Sequence, residues 1–145
     1  MKVACKLQSQ ESTLKFTPEG QTQAMNFSIW EDATKYEYLD VNESEWKSIS
    51  FTHANHLSDL ESATLTLYQD MMYWEKDILP DLSGEWKTLE YLLPNAAPEG
   101  YWKKSGSPTK IKYILFKFYG KSTLTGSFEI KKANLVRAAK TADLK

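Results

Sequence analysis

The segment of residues 110–120, KIKYILFKFYG, constrains the fold most. β-Branched and aromatic residues dominate it, and Pro108 and Gly120 bracket it, which is typical of a strand. Successive side chains of a strand point to opposite faces. The predicted core-facing set is Ile114, Phe116 and Phe118. The predicted outward-facing set is Tyr113, Leu115, Lys117 and Tyr119.

The same alternation recurs on both sides of this segment. Residues 86–93, WKTLEYLL, are predicted to form a strand that turns Leu89, Tyr91 and Leu93 inward. Residues 127–136, SFEIKKANLV, begin with Phe128 and Ile130 inward, and the pattern then slips at Lys132-Ala133. An alternation that slips by one residue is typical of a β-bulge, so we expect a bulged third strand.

Short strand-like segments separated by turn residues occupy most of the chain. The further predicted strands are residues 3–11, 12–17, 23–30, 33–41, 46–53 and 62–68. Residues 57–60 are predicted to form one helical turn, residues 69–78 a strand or a loop, and residues 95–109 a long loop. A rhythm of about one element per ten residues predicts an all-β sandwich. No amphipathic helical pattern of ten residues or more occurs, which excludes helical bundles and doubly wound α/β folds.

Length and charge limit the classes of partner. At 145 residues the chain fits one domain, predicted as a module over residues 1–136 with a tail or linker over residues 137–145. The 18 Lys and Arg against 19 Asp and Glu leave a net charge of −1, so no global field favours nucleic acid or an anionic membrane. No apolar run is long enough to span a bilayer.

The first residues and the cysteine content bear on compartment. The basic start MKVAC has no apolar segment behind it, so no targeting segment is predicted, and a secreted protein would carry its signal in a larger parent. Cys5 is the single cysteine, so no intrachain disulfide can form, and a buried thiol is expected.

Aromatic residues exceed what a core of this size needs. The chain has five Trp and eight Tyr, so some rings should be exposed. Exposed aromatic residues in numbers are typical of a binding surface.

Three motifs resemble a known family. They are the turn and strand SGEWKTLE at residues 83–90, the I-x-F-x-F strand at residues 114–118 and GSFEI at residues 126–130. Residues 20–28, GQTQAMNFS, and 45–51, EWKSISF, extend the likeness. Together they resemble carbohydrate-binding modules of the β-jelly-roll type, particularly the family 11 β-glucan-binding modules of bacterial endoglucanases.

The resemblance implies both a fold and a function. The implied fold is a jelly-roll sandwich with galactose-binding-like topology. The implied function is non-catalytic binding of internal chains of β-1,4-glucan such as cellulose, mixed-linkage glucan or xyloglucan in an aromatic-lined cleft. Such a module would be a monomer within a larger secreted, multimodular enzyme that acts on plant cell walls.

The chain departs from the pattern where many jelly-roll modules hold a structural calcium ion. Their final strand carries acids, and here the run is Ile130-Lys131-Lys132-Ala133-Asn134. Calcium prefers carboxylate and carbonyl oxygens. Two lysines therefore disfavour this site, and no cofactor is predicted.

A sugar site needs flat apolar rings beside directed polar groups. The long loop of residues 95–109 is predicted to carry Tyr101 and Trp102 exposed at its tip. The resemblance implies that this is the loop that family 11 uses to stack a tyrosine over its cleft. On the outward face of the best-defined strand, Tyr119 is a candidate platform and Lys117 a hydroxyl donor. Tyr68, Asp70 and Trp74 share a phase opposite Leu65 and Leu67, and Asp70 could accept from vicinal hydroxyls. Trp46 is either a ligand contact or a packing residue, as is Trp30, and Trp86 is expected to pack.

Catalysis and metal binding have weaker support. A glycosidase needs two carboxylates facing each other across a cleft, and Glu43 and Glu45, or Glu75 and Asp77, are merely close in sequence. His53 and His56 lack a third ligand at recognisable spacing. The chain is therefore predicted not to be an enzyme. The alternative from another class is a protein-interaction or adhesion sandwich whose exposed aromatic residues are hot spots.

Overall fold

The computed structural model describes residues 13–31, 39–40 and 46–137. These residues form strands, one 3₁₀ turn at Leu79–Asp81 and no α-helix. The strands are β1 (Leu14–Phe16), β2 (Ala24–Glu31), β3 (Leu39–Asp40), β4 (Trp46–Asn55), β5 (Leu60–Gln69), β6 (Met72–Asp77), β7 (Lys87–Leu92), β8 (Lys103–Ser105), β9 (Lys110–Ile111), β10 (Tyr113–Gly120) and β11 (Phe128–Arg137).

Two antiparallel sheets face each other across one core. The four-stranded sheet has the order β1-β11-β4-β7, and the five-stranded sheet has the order β2-β10-β5-β6-β8. A separate short pair joins β3 to β9. The predicted all-β jelly-roll sandwich is confirmed, and the best-defined predicted strand, β10, lies between β2 and β5.

Phenylalanine rings from both sheets fill the centre of the core. Phe27 and Phe116 on the five-stranded sheet stack at 5.1 Å, and Phe51 on the opposite sheet meets Phe116 edge-on, also at 5.1 Å. All three are buried. Burying such a ring contributes roughly 1.5–3 kcal/mol, so these three rings, of which Phe116 was predicted to face the core, help to hold the sheets together.

The predicted bulge in the last strand is confirmed. The pairing of β11 with β4 shifts register between Lys131 and Asn134, and Lys132 adopts a φ of 55°. Ala133 is buried although it follows two lysines. The bulge therefore lets the strand return a small residue to the core after the slip in its pattern.

Several segments differ from their prediction. Residues 57–60 are not helical, because Asp59, with a φ of 49°, ends a bend that leads into β5. Residues 69–78, predicted as a strand or a loop, contain the strand β6, which forms a hairpin with β5. The predicted long loop of residues 95–109 contains the short strand β8. The strand predicted at residues 3–11, most of that at 33–41 and the tail beyond residue 137 lie outside the described residues.

Candidate functional site

Three tyrosines form a row on the outer surface of the five-stranded sheet. The strand register places Tyr68 directly between Tyr113 on β10 and Tyr73 on β6. The ring centroids of Tyr68 and Tyr113 are 5.0 Å apart and nearly parallel, and those of Tyr68 and Tyr73 are 5.3 Å apart. All three rings are partly exposed. We call Tyr113, Tyr68 and Tyr73 the tyrosine row.

Charged groups stand beside this row. Lys117 Nζ donates to the hydroxyl of Tyr68 at 3.2 Å and lies 3.8 Å from the Glu75 carboxylate. At the hairpin end of β5, Lys112 pairs with Asp70 at 3.2 Å. The row is therefore flanked by an ammonium donor and by carboxylate acceptors, which are the groups that can bond to sugar hydroxyls.

The surface extends along β10 to a second exposed ring. Tyr119 is 45% exposed and follows Tyr113 and Lys117 on the same face of β10. Tyr119 lies six positions after Tyr113 along the strand, which corresponds to about 20 Å. We call the surface from the tyrosine row through Lys117 and Glu75 to Tyr119 the tyrosine face.

A buried hydroxyl lies in the floor of the tyrosine face. Thr66 is paired between Leu115 on β10 and Glu75 on β6, in the register next to the tyrosine row. Its Oγ1 is buried and has no hydrogen-bond partner among the described residues. A buried polar group without a partner costs roughly 1–3 kcal/mol, which marks this position as unusual within the sheet.

The loop after β7 does not present Trp102 as an exposed platform. Trp102 is only 7% exposed, and its indole Nε1–H donates to the Leu92 carbonyl at 2.8 Å. The Tyr101 hydroxyl accepts from the Leu92 N–H at 3.1 Å, and Lys76 Nζ lies 4.4 Å above the Tyr101 ring. The loop folds back onto β7, so the prediction of an exposed Trp102 ring at a loop tip is wrong.

Trp74 also lies on the opposite side from its predicted position. Asp70 and Met71 form the two-residue turn between β5 and β6, and Asp70 has a φ of 53°. Trp74 therefore pairs with the core residue Leu67 and is 5% exposed. The common phase predicted for Tyr68 and Trp74 is wrong, because the turn reverses the chain and resets the alternation.

The remaining candidate residues divide as follows. Tyr68, Lys117 and Tyr119 lie together on the tyrosine face, and Asp70 lies at its hairpin end. The side chains of Trp46 and Trp30 lie outside the description, although both residues belong to strands. Trp86, expected to pack, is 44% exposed on the four-stranded sheet, with Lys131 Nζ 4.1 Å above its ring.

Sequence reasoning did not include Tyr73, Glu75 or Thr66 in the site, and it placed Tyr113 on the outward face without choosing it as a site residue. Tyr113 shares its phase with Lys117 and Tyr119, so the alternation of β10 was a sufficient signal. Tyr73 and Glu75 could have been placed only by recognising a tight turn at Asp70-Met71. Thr66 carries no signal in the sequence, because its environment depends on both neighbouring strands.

Two buried titratable groups are structural. Ser83 N–H donates to His53 Nε2 at 3.0 Å, so Nδ1 carries the proton and donates to the Lys87 carbonyl, also at 3.0 Å. Burial lowers the pKa of His53 from its usual 6.5. Burial and a hydrogen bond to Asp81 raise the pKa of Tyr91 above its usual range. Both side chains fasten the segment around the 3₁₀ turn to the four-stranded sheet.

The neutral form of His53 predicts a pH dependence of stability. Because the pKa of His53 is lower in the folded state, the unfolded chain binds its proton first as the pH falls. The contribution of neutral His53 to the free energy of unfolding is therefore complete above pH 6.5. Below that pH it decreases, by up to about 1.4 kcal/mol per pH unit. Urea unfolding across this range should show the slope.

Two substitutions isolate this slope. His53→Gln is expected to remove the component of the slope that begins near the usual histidine pKa, and the exposed His56→Gln should retain it. An identical slope in the parent and in His53→Gln would contradict the assignment.

Among residues 13–31, 39–40 and 46–137, no group of three or more His, Cys, Asp or Glu side chains is arranged to hold a metal ion. Within the same ranges, no helix has the length and apolar character needed to cross a membrane.

Comparisons with known proteins give distant structural similarity. No protein-family model matches the sequence, and a search of curated proteins finds no match. A family 11 carbohydrate-binding module from Clostridium thermocellum, solved in complex with a β-1,3-1,4-mixed-linked tetrasaccharide, has a TM-score of 0.44 and 13% identity, covering 87% of this chain and 89% of that one. The family 11 module of the cellulosomal cellulase Lic26A-Cel5E of Clostridium thermocellum has the same TM-score and identity, covering 87% and 88%.

Proposed function

We propose that the protein is a non-catalytic carbohydrate-binding module whose tyrosine face binds internal stretches of a neutral β-glucan or a related plant-wall polysaccharide. The observation that carries the proposal is the tyrosine row, three partly exposed rings on adjacent strands with Lys117 and Glu75 beside them. The proposal invokes no metal or cofactor. It includes the expectation that the module is a monomer within a larger secreted enzyme.

The chemistry of this face suits an uncharged sugar chain. The axial C–H groups of a β-linked glucose form an apolar patch that phenol rings can cover, and its equatorial hydroxyls need donors and acceptors. Lys117 pairs with Glu75 and Lys112 pairs with Asp70, so these charges are already balanced within the surface. Such a surface offers polar contacts without a strong attraction for either sign of charge.

The open shape of the face suits the interior of a chain. Tyr119 lies about 20 Å from Tyr113 along β10, which is long enough for several sugar units. The tyrosine face is one side of a sheet, so a polymer could cross it without an end being enclosed.

The proposal predicts that the rings at the two ends of the tyrosine row contribute directly to binding. Tyr73→Ala and Tyr113→Ala should each lose about 1–3 kcal/mol of stacking, by analogy with aromatic rings on nucleobases, which weakens binding about tenfold or more. Calorimetry and native gels cast with mixed-linkage glucan, xyloglucan, mannan or a soluble cellulose derivative would measure the loss. Thermal melts should change little, since both rings are partly exposed.

A matched control is available on the other sheet. Trp86→Ala removes an aromatic ring that is more exposed than Tyr73 or Tyr113, on the side of the four-stranded sheet, and should leave binding unchanged. If the parent binds no polysaccharide of the panel, the proposed function is wrong and a protein partner becomes the alternative. If both tyrosine variants bind like the parent, the tyrosine face is not the site. Reducing ends released on prolonged incubation would show that the protein is an enzyme.

A further inference from the structure

The buried hydroxyl of Thr66 lies in the middle of the tyrosine face. On β5 the outward residues around it are Thr64 and Tyr68, because Leu65 and Leu67 belong to the core. Thr66 is 0% exposed, and its Oγ1 is the one buried side-chain polar atom without a hydrogen-bond partner among the described residues. Buried polar groups usually have a partner, so this hydroxyl points to a ligand atom that reaches it from the outer side of the sheet.

Two longer side chains meet over Thr66. Lys117 on β10 is paired in register with Thr64, whereas Glu75 on β6 is paired with Thr66. The Lys117 ammonium lies 3.8 Å from the Glu75 carboxylate, so the two side chains together cross β5 and span two strand spacings, about 10 Å. Lys117 Nζ also donates to the Tyr68 hydroxyl at 3.2 Å, so its stem passes from the level of Thr64 toward that of Tyr68. The outward position between these two levels is Thr66, which the ion pair therefore covers.

This cover can open at small cost. The side chains of Lys117 and Glu75 are 33% and 25% exposed, and their separation of 3.8 Å is longer than a hydrogen bond. Partly exposed ion pairs contribute little to stability, and a lysine stem is flexible. A sugar that separates the pair gains an ammonium donor and a carboxylate acceptor for its hydroxyls. The same movement uncovers the Thr66 hydroxyl.

The depth of Thr66 indicates which sugar group reaches it. Its side chain is shorter than those of Leu115 and Glu75 on the two neighbouring strands, so its hydroxyl lies below the surface on which a sugar ring would rest. Ring hydroxyls are attached directly to the sugar ring, whereas the hydroxymethyl group of a hexose carries its hydroxyl on an additional, rotatable carbon. Leu115 is partly exposed and offers an apolar wall to that carbon. The position therefore suits a hydroxymethyl group.

We propose that Thr66 is a specificity-determining residue of the tyrosine face, and that its hydroxyl binds the hydroxymethyl group of a hexose unit once Lys117 and Glu75 separate. This inference rests on the proposed function and narrows its ligand to chains of hexoses, such as β-glucan or mannan. Xylan consists of pentose units without a hydroxymethyl group, so it cannot supply this hydrogen bond.

Thr66→Val tests the inference, because valine keeps the branched shape of threonine and removes the hydroxyl. Calorimetry gives the Kd for xylohexaose and for a hexasaccharide of the glucan or mannan that the parent binds most tightly. Loss of one hydrogen bond should weaken binding of the hexose chain about 3- to 10-fold and leave binding of xylohexaose unchanged. The parent should prefer the hexose chain by at least the same factor. Thr66→Ser keeps the hydroxyl and should retain this preference.

Thr64→Val is the matched control, since Thr64 is the next outward residue of β5 and is partly exposed. It should leave both Kd values unchanged. Thr66→Val should also retain or raise the free energy of unfolding in urea, because it removes a buried hydroxyl that has no partner.

Three results would overturn the inference and leave the proposed function standing. They are a Thr66→Val variant that binds the hexose chain like the parent, a parent that binds xylohexaose equally tightly, and a Thr66→Val variant that is less stable than the parent. If the parent binds no polysaccharide of the panel, the proposed function is wrong and this inference is wrong with it.

Discussion

Replacing Trp102 with alanine is expected to lower the free energy of unfolding by about 3–5 kcal/mol, the usual loss for a buried tryptophan. The ring belongs to the hydrophobic core, and its indole N–H satisfies the Leu92 carbonyl. The substitution would leave both a cavity and an unpaired carbonyl. The melting temperature should fall by roughly 10–20 °C for a domain of this size, as thermal melts or urea unfolding would measure.

Trp86→Ala is the control for this result. Trp86 is the most exposed of the described tryptophans, and Lys131 Nζ lies over its ring. An exposed cation–π pair contributes roughly 0.5–1 kcal/mol, so Trp86→Ala should cost no more than about 1 kcal/mol. Equal losses for Trp86→Ala and Trp102→Ala would contradict the placement of the two rings. The sequence alone predicted the opposite order, with Trp86 in the packing role.

The sequence assigned the wrong roles to Trp86 and Trp102 because the burial of Trp102 depends on how the loop after β7 covers the edge of the sheet. β7 is one of the two edge strands of the four-stranded sheet, and its outer backbone groups need partners. The Tyr101 hydroxyl and the Trp102 indole bond to the N–H and the carbonyl of Leu92. Pro98, Gly100, Gly106 and Pro108 predicted a long loop, which the structure interrupts with the short strand β8. A local pattern contains no information that this loop would return to cover the edge of β7.

The features that the sequence predicted correctly are those that depend on a single strand. In β10, the alternation of Ile114, Phe116 and Phe118 with Tyr113, Lys117 and Tyr119 assigned both faces correctly. The slip at Lys132-Ala133 located the bulge of β11. Side-chain alternation depends only on the pleat of a single strand, so it can be predicted without knowing the neighbouring strands.

The composition of the tyrosine row, in contrast, depends on three strands at once. Tyr113, Tyr68 and Tyr73 come from β10, β5 and β6, and only the register between those strands brings them together. One residue of shift would have moved Trp74 to the outer face and Tyr73 to the core. The turn at Asp70-Met71 sets that register. The sequence therefore predicted an aromatic surface and could not name all its members.

Gly126→Ala is expected to produce the other large loss of stability, at least about 3 kcal/mol. Gly126 has a φ of 94°, which non-glycine residues rarely adopt, and an added Cβ would lie well inside van der Waals contact of the His56 carbonyl oxygen. That oxygen belongs to backbone, so it cannot rotate away as a flexible side chain could. Relief of the clash would disturb the hydrogen bonds of His56 N–H to the Ser127 carbonyl and of Ser58 N–H to the Thr125 carbonyl.

Gly20→Ala is the control that distinguishes the cost of the steric clash at Gly126 from the cost of a positive φ. Gly20 also has a positive φ, of 68°, but an added Cβ there would meet nothing within 4 Å. Its substitution should cost only the roughly 1–2 kcal/mol of a left-handed conformation. Urea unfolding of both variants measures the difference directly. Equal losses would mean that the segment between β10 and β11 moves freely away from residues 56–58. A larger loss for Gly126→Ala would show that this approach of two backbones fixes the entry of the chain into β11.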